Sequence, residues 1–147
     1  MIEQGPYRLI ETSTPDYWNS YHTIRKRILW ESRGLSGVYR DDHPDEVKAG
    51  NFPMILLLED KIIGVVRIDI DPERKLATMR RVAIIEREQR KGHGRTLVEL
   101  VERFAANHAC NRIEVAAAND AETFYQKGGY SITGSDTSKM EKTILLK

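Results

Sequence analysis

The stretch that most constrains this fold is residues 84–95, where an apolar strand runs into a short basic loop with two glycines and then into a predicted helix. The first turn of a helix has N–H groups with no intrahelical partner, at the positive end of the helix dipole. Gly92 and Gly94 have no Cβ to hold an anion away from those amides, and Arg90, Lys91 and Arg95 add positive charge. Residues 89–95 are therefore predicted to form an anion cradle suited to a diphosphate.

Length and charge limit the other possibilities. A chain of 147 residues predicts a single domain, residues 1–147. Because 23 basic residues face 22 acidic ones, we expect no general attraction to nucleic acid or to an anionic membrane. One cysteine, Cys110, with no signal-peptide pattern and no apolar run of about 20 residues, favours the cytoplasm. The histidines share no metal-ligand spacing, so no metal is expected.

Hydrophobic periodicity predicts a mixed α/β order. A strand at 7–11 precedes a helix at 16–32, for which Thr14 is the cap, and then a loop with a short helix at 38–47. Strands at 54–59, 62–71 and 76–85 follow as an antiparallel meander. A helix at 92–107 then leads to a strand at 112–117, so a parallel crossover is expected. A short helix at 119–127 and strands at 130–133 and 142–146 close the chain.

The two usual nucleotide cradles do not fit this loop. A P-loop requires Gly-Lys-Ser/Thr after an earlier glycine, but Gly94 is followed by Arg95-Thr96 and position 89 is Gln89. A dinucleotide fingerprint requires G-x-G-x-x-G in a parallel unit, but Leu97 stands at the third glycine position and the preceding strand is predicted antiparallel. Both nucleotide interpretations are therefore excluded.

Residues 89–94, Gln-Arg-Lys-Gly-His-Gly, match the pattern Q/R-x-x-G-x-G/A, and on this motif the chain resembles the GNAT N-acetyltransferase superfamily. A second motif supports the resemblance, since residues 115–130 are similar to that family's strand followed by N-x-x-A-x-x-F-Y-x-K-x-G-F. The resemblance covers nearly the whole chain. It implies a GNAT-like fold, with the meander followed by a parallel strand pair that splays around the cofactor, and with helices on both faces.

The resemblance also implies a cofactor site for acetyl-coenzyme A. The cradle would bind its pyrophosphate, mainly through backbone amides, and the preceding strand would pair with the pantetheine arm. Asn119 would meet the cofactor from the other side, although with Glu122 it also fits a helix capping box. The implied cofactor-binding residues are Val82, Ala83, Ile84, Gln89, Arg90, Lys91, Gly92, His93, Gly94, Arg95 and Asn119.

In the family a tyrosine at the Tyr125 position often protonates the departing thiolate, so Tyr125 is the predicted general acid. Without the motif, Tyr125 beside Phe124 would be read as core. The general base is open, because Thr78 stands where many relatives carry glutamate. A water chain, His22, Glu31 or loss of the proton to solvent are the alternatives.

The acceptor cannot be read from the sequence. Arg80 and Arg81 lie inside a half-buried predicted strand and require a partner, and one of them is expected to pair with a substrate carboxylate. Trp30 is a candidate lining residue of the same pocket. The predicted function is acetyl transfer from acetyl-CoA to a primary amine, and the alternative is a catalytically lapsed module that binds CoA as a sensor or partner-binding protein. Dimers are common in the family, so a homodimer is a further expectation.

Overall fold

The computed structural model describes residues 1–30, 44–116, 121–134 and 139–144, which build one mixed sheet with helices on both faces. The strands are β1 (Ile2–Gln4), β2 (Tyr7–Glu11), β3 (Asn51–Leu58), β4 (Lys61–Asp71), β5 (Leu76–Ile84), β6 (Arg112–Ala116), β7 (Ser131–Ile132) and β8 (Lys139–Thr143). The helices are α1 (Pro15–Arg25), α2 (His93–Asn107) and α3 (Glu122–Lys127). A π-helical turn, Lys26–Trp30, follows α1, and 3-10 turns span Pro44–Val47 and Glu86–Glu88.

The sheet order is β1-β2-β3-β4-β5-β6-β8-β7. Strands β3, β4 and β5 pair antiparallel, which confirms the predicted meander. Strands β5 and β6 pair parallel, because α2 carries the chain back across one face of the sheet. Within the described residues, the other strand pairs are all antiparallel.

Two apolar clusters cover the two faces of the sheet. On one face α2 buries its apolar stripe, Leu97, Leu100, Val101 and Phe104, against strand residues that include Ile68 and Met79. On the other face α1 packs Tyr21 and Ile24 against Ile55, Val65 and Ala83. Strands β3 and β4 are therefore buried on both sides, which explains why they consist of nearly continuous apolar runs. No helix in the described part of the chain is long and apolar enough to cross a membrane.

The start of α1 is set by local chemistry. The Thr14 hydroxyl accepts a hydrogen bond from the Tyr17 backbone N–H at 3.2 Å, and Pro15 occupies the first helical position, as the sequence predicts. The α-helical hydrogen bonding ends at Arg25 and gives way to the π-helical turn, whereas one helix was predicted over residues 16–32. Residues 31 and 32 lie outside the described part of the chain.

Several boundaries differ from the sequence-based expectations because strand pairing decides them. β1 was not predicted, since three residues are too short for a periodic signal, but it pairs with β2 in a tight hairpin through Gly5. β8 spans Lys139–Thr143, earlier than the predicted residues 142–146, because it is held in register with β6. Of the helix predicted at 119–127, the structure has α3 at Glu122–Lys127, and residues 119 and 120 lie outside the described part of the chain. Of the loop with a short helix predicted at 38–47, residues 44–47 form a 3-10 turn, and residues 38–43 also lie outside the described part.

Candidate active site

The site is organised by a split in the sheet between β5 and β6. Their pairing runs from Leu76 opposite Arg112 to Met79 opposite Val115 and then stops, although β5 continues to Ile84. One edge of β5 beyond Met79 is therefore left without a strand partner among the described residues. Unpaired N–H and C=O groups at such an edge can bind an extended ligand as another strand would.

A β-bulge bends β5 just after the split begins. Val65 pairs with Ala83 and Arg67 pairs with Arg80, so Arg81 and Val82 together lie opposite a single residue of β4. Arg81 has a φ of 58°, in the left-handed region that an L-residue with a side chain rarely adopts. Bulges and strained residues of this kind occur preferentially next to functional sites, because they re-aim backbone and side chains.

The direction of the peptide groups near the end of β5 follows from one hydrogen bond. The Ile85 N–H donates to the Ile63 carbonyl of β4 at 2.9 Å, so the Ile84 carbonyl, in the same peptide unit, points the other way, into the split. The Ile84 N–H lies on that side as well, because the N–H and C=O of one strand residue point in the same direction. Ala83, one residue earlier, directs its own groups toward β4.

The predicted cradle lies at the end of this strand. The Gln89 side chain donates from Nε2 to the Ile84 carbonyl at 2.8 Å and folds the loop back onto the strand. Arg90 and Gly92 have φ values of 63° and 87°, and α2 begins at His93. The N–H groups of the first turn of α2 therefore face the loop, next to the exposed side chains of Arg90 and Lys91. This arrangement fits a diphosphate, since the helix dipole and the first-turn amides face the loop that carries Arg90 and Lys91. Lys91 Nζ also lies 3.7 Å from a Glu88 carboxylate oxygen.

The two glycines of the cradle differ in their backbone conformation and in what a side chain would meet. Gly92 needs its positive φ, but a Cβ built on it meets no atom of the described residues within 4 Å. Gly94 has no unusual φ, and a Cβ there meets the ring of Phe124 at 3.5 Å, an ordinary contact. The protein itself therefore leaves the space above Gly92 open, as an anion site requires.

The buried side chain of His93 anchors the cradle to the rest of the protein. Its imidazole is buried, with Nδ1 2.7 Å from the Tyr7 hydroxyl and Nε2 3.1 Å from a Glu88 carboxylate oxygen. These contacts join β2, the 3-10 turn and the first residue of α2. The His93 side chain thus points into the protein, and only its backbone is available to the cradle.

The Arg95 side chain contacts the neighbouring helix α3 and not the cradle loop. Its guanidinium lies 4.3 Å from the centre of the Phe124 ring and donates to the Phe124 carbonyl at 2.5 Å. Gly128 leaves the room for this group, since a Cβ there would lie 2.0 Å from Arg95 Nη1. The side chain of Arg95 therefore docks α3 onto α2, so any contribution to the cradle comes from its backbone.

Tyr125, the predicted general acid, is buried on α3 with edge-on ring contacts to Phe124 and Tyr130. Burial raises the pKa of Tyr125 to about 12, against a smaller opposing effect of the Arg95 charge. The phenol therefore stays protonated at any ordinary assay pH. It is also a weaker acid than the unperturbed phenol assumed from the sequence. Asn119 and the side chain of Trp30 lie outside the described residues, as does Glu31.

A cavity of about 830 Å³ opens on the α1 face of the sheet beside the split. Its walls include Met79, Arg80 and Arg81 of β5 and Ala116 of β6, so it adjoins the place where the two strands separate. The other lining residues are Arg25, Asp45, Glu46, Lys48, Asn51, Arg67, Asp69, Ile70, Asp71, Arg74, Leu76 and Thr78. Arg80 and Arg81, one of which is predicted to pair with an acceptor carboxylate, are thus both in this wall.

One side of the cavity is a buried ionic cluster around Glu46. The Glu46 carboxylate accepts hydrogen bonds from the Tyr21 hydroxyl, at 2.9 Å, and from Arg25, and it lies 3.6 Å from Nη1 of Arg67. Burial raises the pKa of Tyr21 above its usual range, so it stays a neutral donor. Burial alone would lower the pKa of Arg67, but its hydrogen bonds and charge interactions with Asp69 and Glu46 raise it overall.

The cluster continues onto β4 and β5. Arg67 donates to both oxygens of Asp69, from Nε at 2.9 Å and from Nη2 at 3.1 Å. The second Asp69 oxygen also accepts from Arg80 Nε at 2.8 Å. The charges thus form a chain from Glu46 through Arg67 and Asp69 to Arg80, at the edge of the split.

Sequence reasoning missed this cluster. A signal existed for Arg67 and Asp69, which alternate with Val66, Ile68 and Ile70 and so share one face of β4. No signal marked Glu46, because it reaches the cavity from a 3-10 turn in a polar stretch. Among the suggested bases, His22 stacks on Trp18 in α1 and is not part of the cavity wall.

Thr78 is in that wall, opposite Asp69 on β4 and Glu114 on β6. Glu114 is buried and paired with Lys139 at 2.8 Å.

No group of three or more His, Cys, Asp or Glu side chains that could hold a metal ion is found in the described ranges.

The comparisons with known proteins agree with this architecture. A family model described as "Acetyltransferase (GNAT) family" matches residues 7–130, most of the chain. No curated protein sequence matches. A putative N-acetyltransferase from Lactobacillus plantarum superposes with a TM-score of 0.78 at 21% identity, covering 95% of this chain and 99% of that one.

Two further solved structures are similar. Escherichia coli ElaA has a TM-score of 0.76 and 16% identity, with 97% of this chain and 99% of that chain covered. Tetrahymena GCN5 has a TM-score of 0.73 and 16% identity, with 96% and 97% covered. At such identities the structural likenesses establish the fold alone.

Proposed function

Because the chain belongs to the GNAT acetyltransferase family, we propose that it transfers an acetyl group from acetyl-coenzyme A directly to a primary amine of a small molecule or peptide. One observation carries the proposal: β5 separates from β6 after Met79 and then leads, through the 3-10 turn Glu86–Glu88, into the glycine loop at the start of α2. A single ligand with a diphosphate at one end and peptide-like amides at the other would use both features. Coenzyme A has that chemistry.

We assign the cofactor contacts by the kind of group each residue offers. The amides of residues 92–95 hold the pyrophosphate, and Arg90 and Lys91 supply charge beside it. The pantetheine arm lies along residues 82–84 and pairs with the backbone groups on the side of the split, whereas the N–H and C=O of Ala83 itself are directed toward β4. Ile84, whose N–H points into the split, donates to the acetyl oxygen as negative charge develops there. Gln89 shapes the loop through its bond to the Ile84 carbonyl. Asn119 is retained as a proposed contact.

Tyr125 is the proposed general acid. The amine nitrogen forms a bond to the acetyl carbon, the carbon–sulfur bond breaks, and the phenol proton passes to the departing sulfur. With a pKa of about 12 the phenol carries its proton at any ordinary assay pH. It donates that proton only when negative charge has built up on the departing sulfur. Thr78 cannot act as the base, so we propose that the amine reaches the site neutral or loses its first proton through water. The proton that the nitrogen must release on forming the amide then passes through water to the phenolate and restores Tyr125.

The test is acetyl transfer itself. The protein is mixed with acetyl-coenzyme A and a panel of amines, and free thiol is followed together with the mass of the acceptor. We expect thiol release that requires the amine and equals the acetylated product formed. Release that is independent of any amine would contradict direct transfer and indicate hydrolysis.

A second candidate function is a CoA-binding module without turnover. It is favoured by Thr78 at the usual base position, and by the engagement of Glu46 and Asp69 in the cavity with arginines. The same experiment separates the two candidates. Tight binding of acetyl-coenzyme A without thiol release across the panel would support the module and overturn the enzyme.

A further inference from the structure

The guanidinium of Arg80 has the geometry of a carboxylate receptor at the edge of the split. It is held through Nε, which donates to Asp69 at 2.8 Å, while half of the side chain remains exposed to the cavity. Among the described residues, neither of its Nη groups makes a hydrogen bond. An arginine fixed through Nε still presents both Nη groups as a planar fork, which matches the two oxygens of a carboxylate.

Asp69 orients the Arg80 guanidinium through Nε and leaves its two Nη groups available to a ligand. Both of its oxygens already accept from Arg67, and Arg67 is in turn close to the buried Glu46. Arg67 therefore fixes the Asp69 carboxylate on the buried side. The orientation of the Arg80 guanidinium is set by this buried series of ion pairs and not by a mobile surface pair. A preorganised receptor loses less conformational entropy when its ligand binds.

The net charge of the cavity wall also favours a negatively charged group on the ligand. Among the described residues, its wall carries six cationic side chains against four carboxylates, an excess of two positive charges, in a chain whose net charge is only +1. Such a wall disfavours a polycationic acceptor and favours one that brings a negative group. A volume of about 830 Å³ is in the range of sites for small molecules.

We infer that the acceptor is a small amine that also carries a carboxylate, such as an amino acid, and that Arg80 binds this carboxylate through its Nη groups. The inference rests on the proposed acetyl transfer, because it assumes that the acceptor lies in the cavity beside the split. Arg80 is the specificity-determining residue, and Asp69 is a positioning residue that acts through it.

The experiment compares amino acids with their carboxamides, which keep the amine and the shape but lose the charge. The carboxamide amine is less basic and so more often neutral, which works against the prediction and makes the comparison conservative. For the wild-type protein we expect kcat/KM to be about 10- to 100-fold higher for the acid, the usual effect of charge-assisted hydrogen bonds. Equal or better use of the carboxamides would overturn the inference, even if acetyl transfer is robust.

The variant Arg80→Gln keeps length and polarity but loses the charge and the fork. We expect it to lower kcat/KM for the acid about 10- to 100-fold, mainly through KM, and to leave the carboxamide and the KM for acetyl-coenzyme A nearly unchanged. Arg80→Lys should restore only part of the preference, because a lysine has no fork. Arg8→Gln is the matched control, since Arg8 is also paired with an aspartate, Asp60, but on β2 and away from the cavity. A loss of equal size on acid and carboxamide would refute the specific role of Arg80.

Equilibrium binding separates this inference from the proposed function. Binding of the same acid and carboxamide pairs is measured by calorimetry with the protein saturated with coenzyme A, so that no turnover is needed. Tighter binding of the acid that disappears in Arg80→Gln supports the receptor even if no amine is acetylated. Failure of the acid to bind better than the carboxamide contradicts it independently of turnover.

Discussion

Gly92 offers a direct test of the cradle, because its effect on the fold and its effect on the cofactor can be separated. The residue has a φ of 87°, and a Cβ built on it would meet no atom of the described residues within 4 Å. Gly92→Ala therefore causes no collision within the protein. Its cost to the fold is the strain of a side chain in left-handed backbone, about 1–2 kcal/mol. For a domain of this size that lowers Tm by about 3–8 °C.

Gly134 is the matched control for this strain. It has nearly the same φ, 83°, and a Cβ there is likewise clear of the described residues, but it follows β7 at the far edge of the sheet. We expect Gly134→Ala and Gly92→Ala to lower Tm by similar amounts. Only Gly92→Ala should raise the KM for acetyl-coenzyme A, by about 10- to 100-fold, because the methyl group stands between the first-turn amides and the pyrophosphate.

Thermal unfolding and initial-rate kinetics with both variants decide the matter. If Gly92→Ala loses the same stability as Gly134→Ala and binds acetyl-coenzyme A as well as the wild type does, the anion does not sit on these amides. An equal rise in KM for both variants would mean that the effect comes from destabilisation and not from the cradle. Either result refutes the assignment of residues 89–95.

Three other changes test the surrounding architecture. Tyr125→Phe should lower kcat about 100-fold or more with little change in the KM for acetyl-coenzyme A, as expected for a general acid. Because burial raises the pKa of Tyr125 from 10 to about 12, the contribution of its neutral phenol to the free energy of unfolding should be fully present below pH 10 and should be lost as the pH rises toward 12. Denaturation measured across this pH range should therefore show a smaller loss of stability in Tyr125→Phe than in the wild type. Arg95→Gln should cost about 1–2 kcal/mol and lower kcat, since Arg95 docks α3, whereas Arg103→Gln, which also loses a bond to a backbone carbonyl, should leave kcat unchanged. Glu46→Gln should destabilise the protein by about 3 kcal/mol in urea unfolding, because it leaves buried guanidinium charge uncompensated.

The glycine loop that is proposed to bind the cofactor could be predicted from the sequence because its determinants are local. A glycine such as Gly92 can adopt positive φ in any context, and the first turn of a helix has free N–H groups wherever it forms. Helix α2 was equally accessible, since an apolar stripe at Leu97, Leu100, Val101 and Phe104 has helical period whatever it packs against.

Other features depend on contacts that the sequence does not display. The bulge at Arg81 exists because β4 and β5 lose register between Val65 and Arg67, and a register is a property of two strands. The same holds for the buried His93, whose partners Tyr7 and Glu88 come from different elements. A position between two cradle glycines gave no indication of which way this side chain points.

The sequence by itself thus determined most of the order of helices and strands, the glycine loop at the start of α2 and the family, because backbone torsions, periodicity and short motifs depend on neighbouring residues. Tertiary structure alone decided how β5 and β6 separate, and how Glu46, Arg67, Asp69 and Arg80 form one chain of charges beside that split. These residues come from a 3-10 turn and two strands. Only the folded sheet brings their charged groups within 4 Å of one another, and electrostatic interactions depend on that distance and not on separation along the chain.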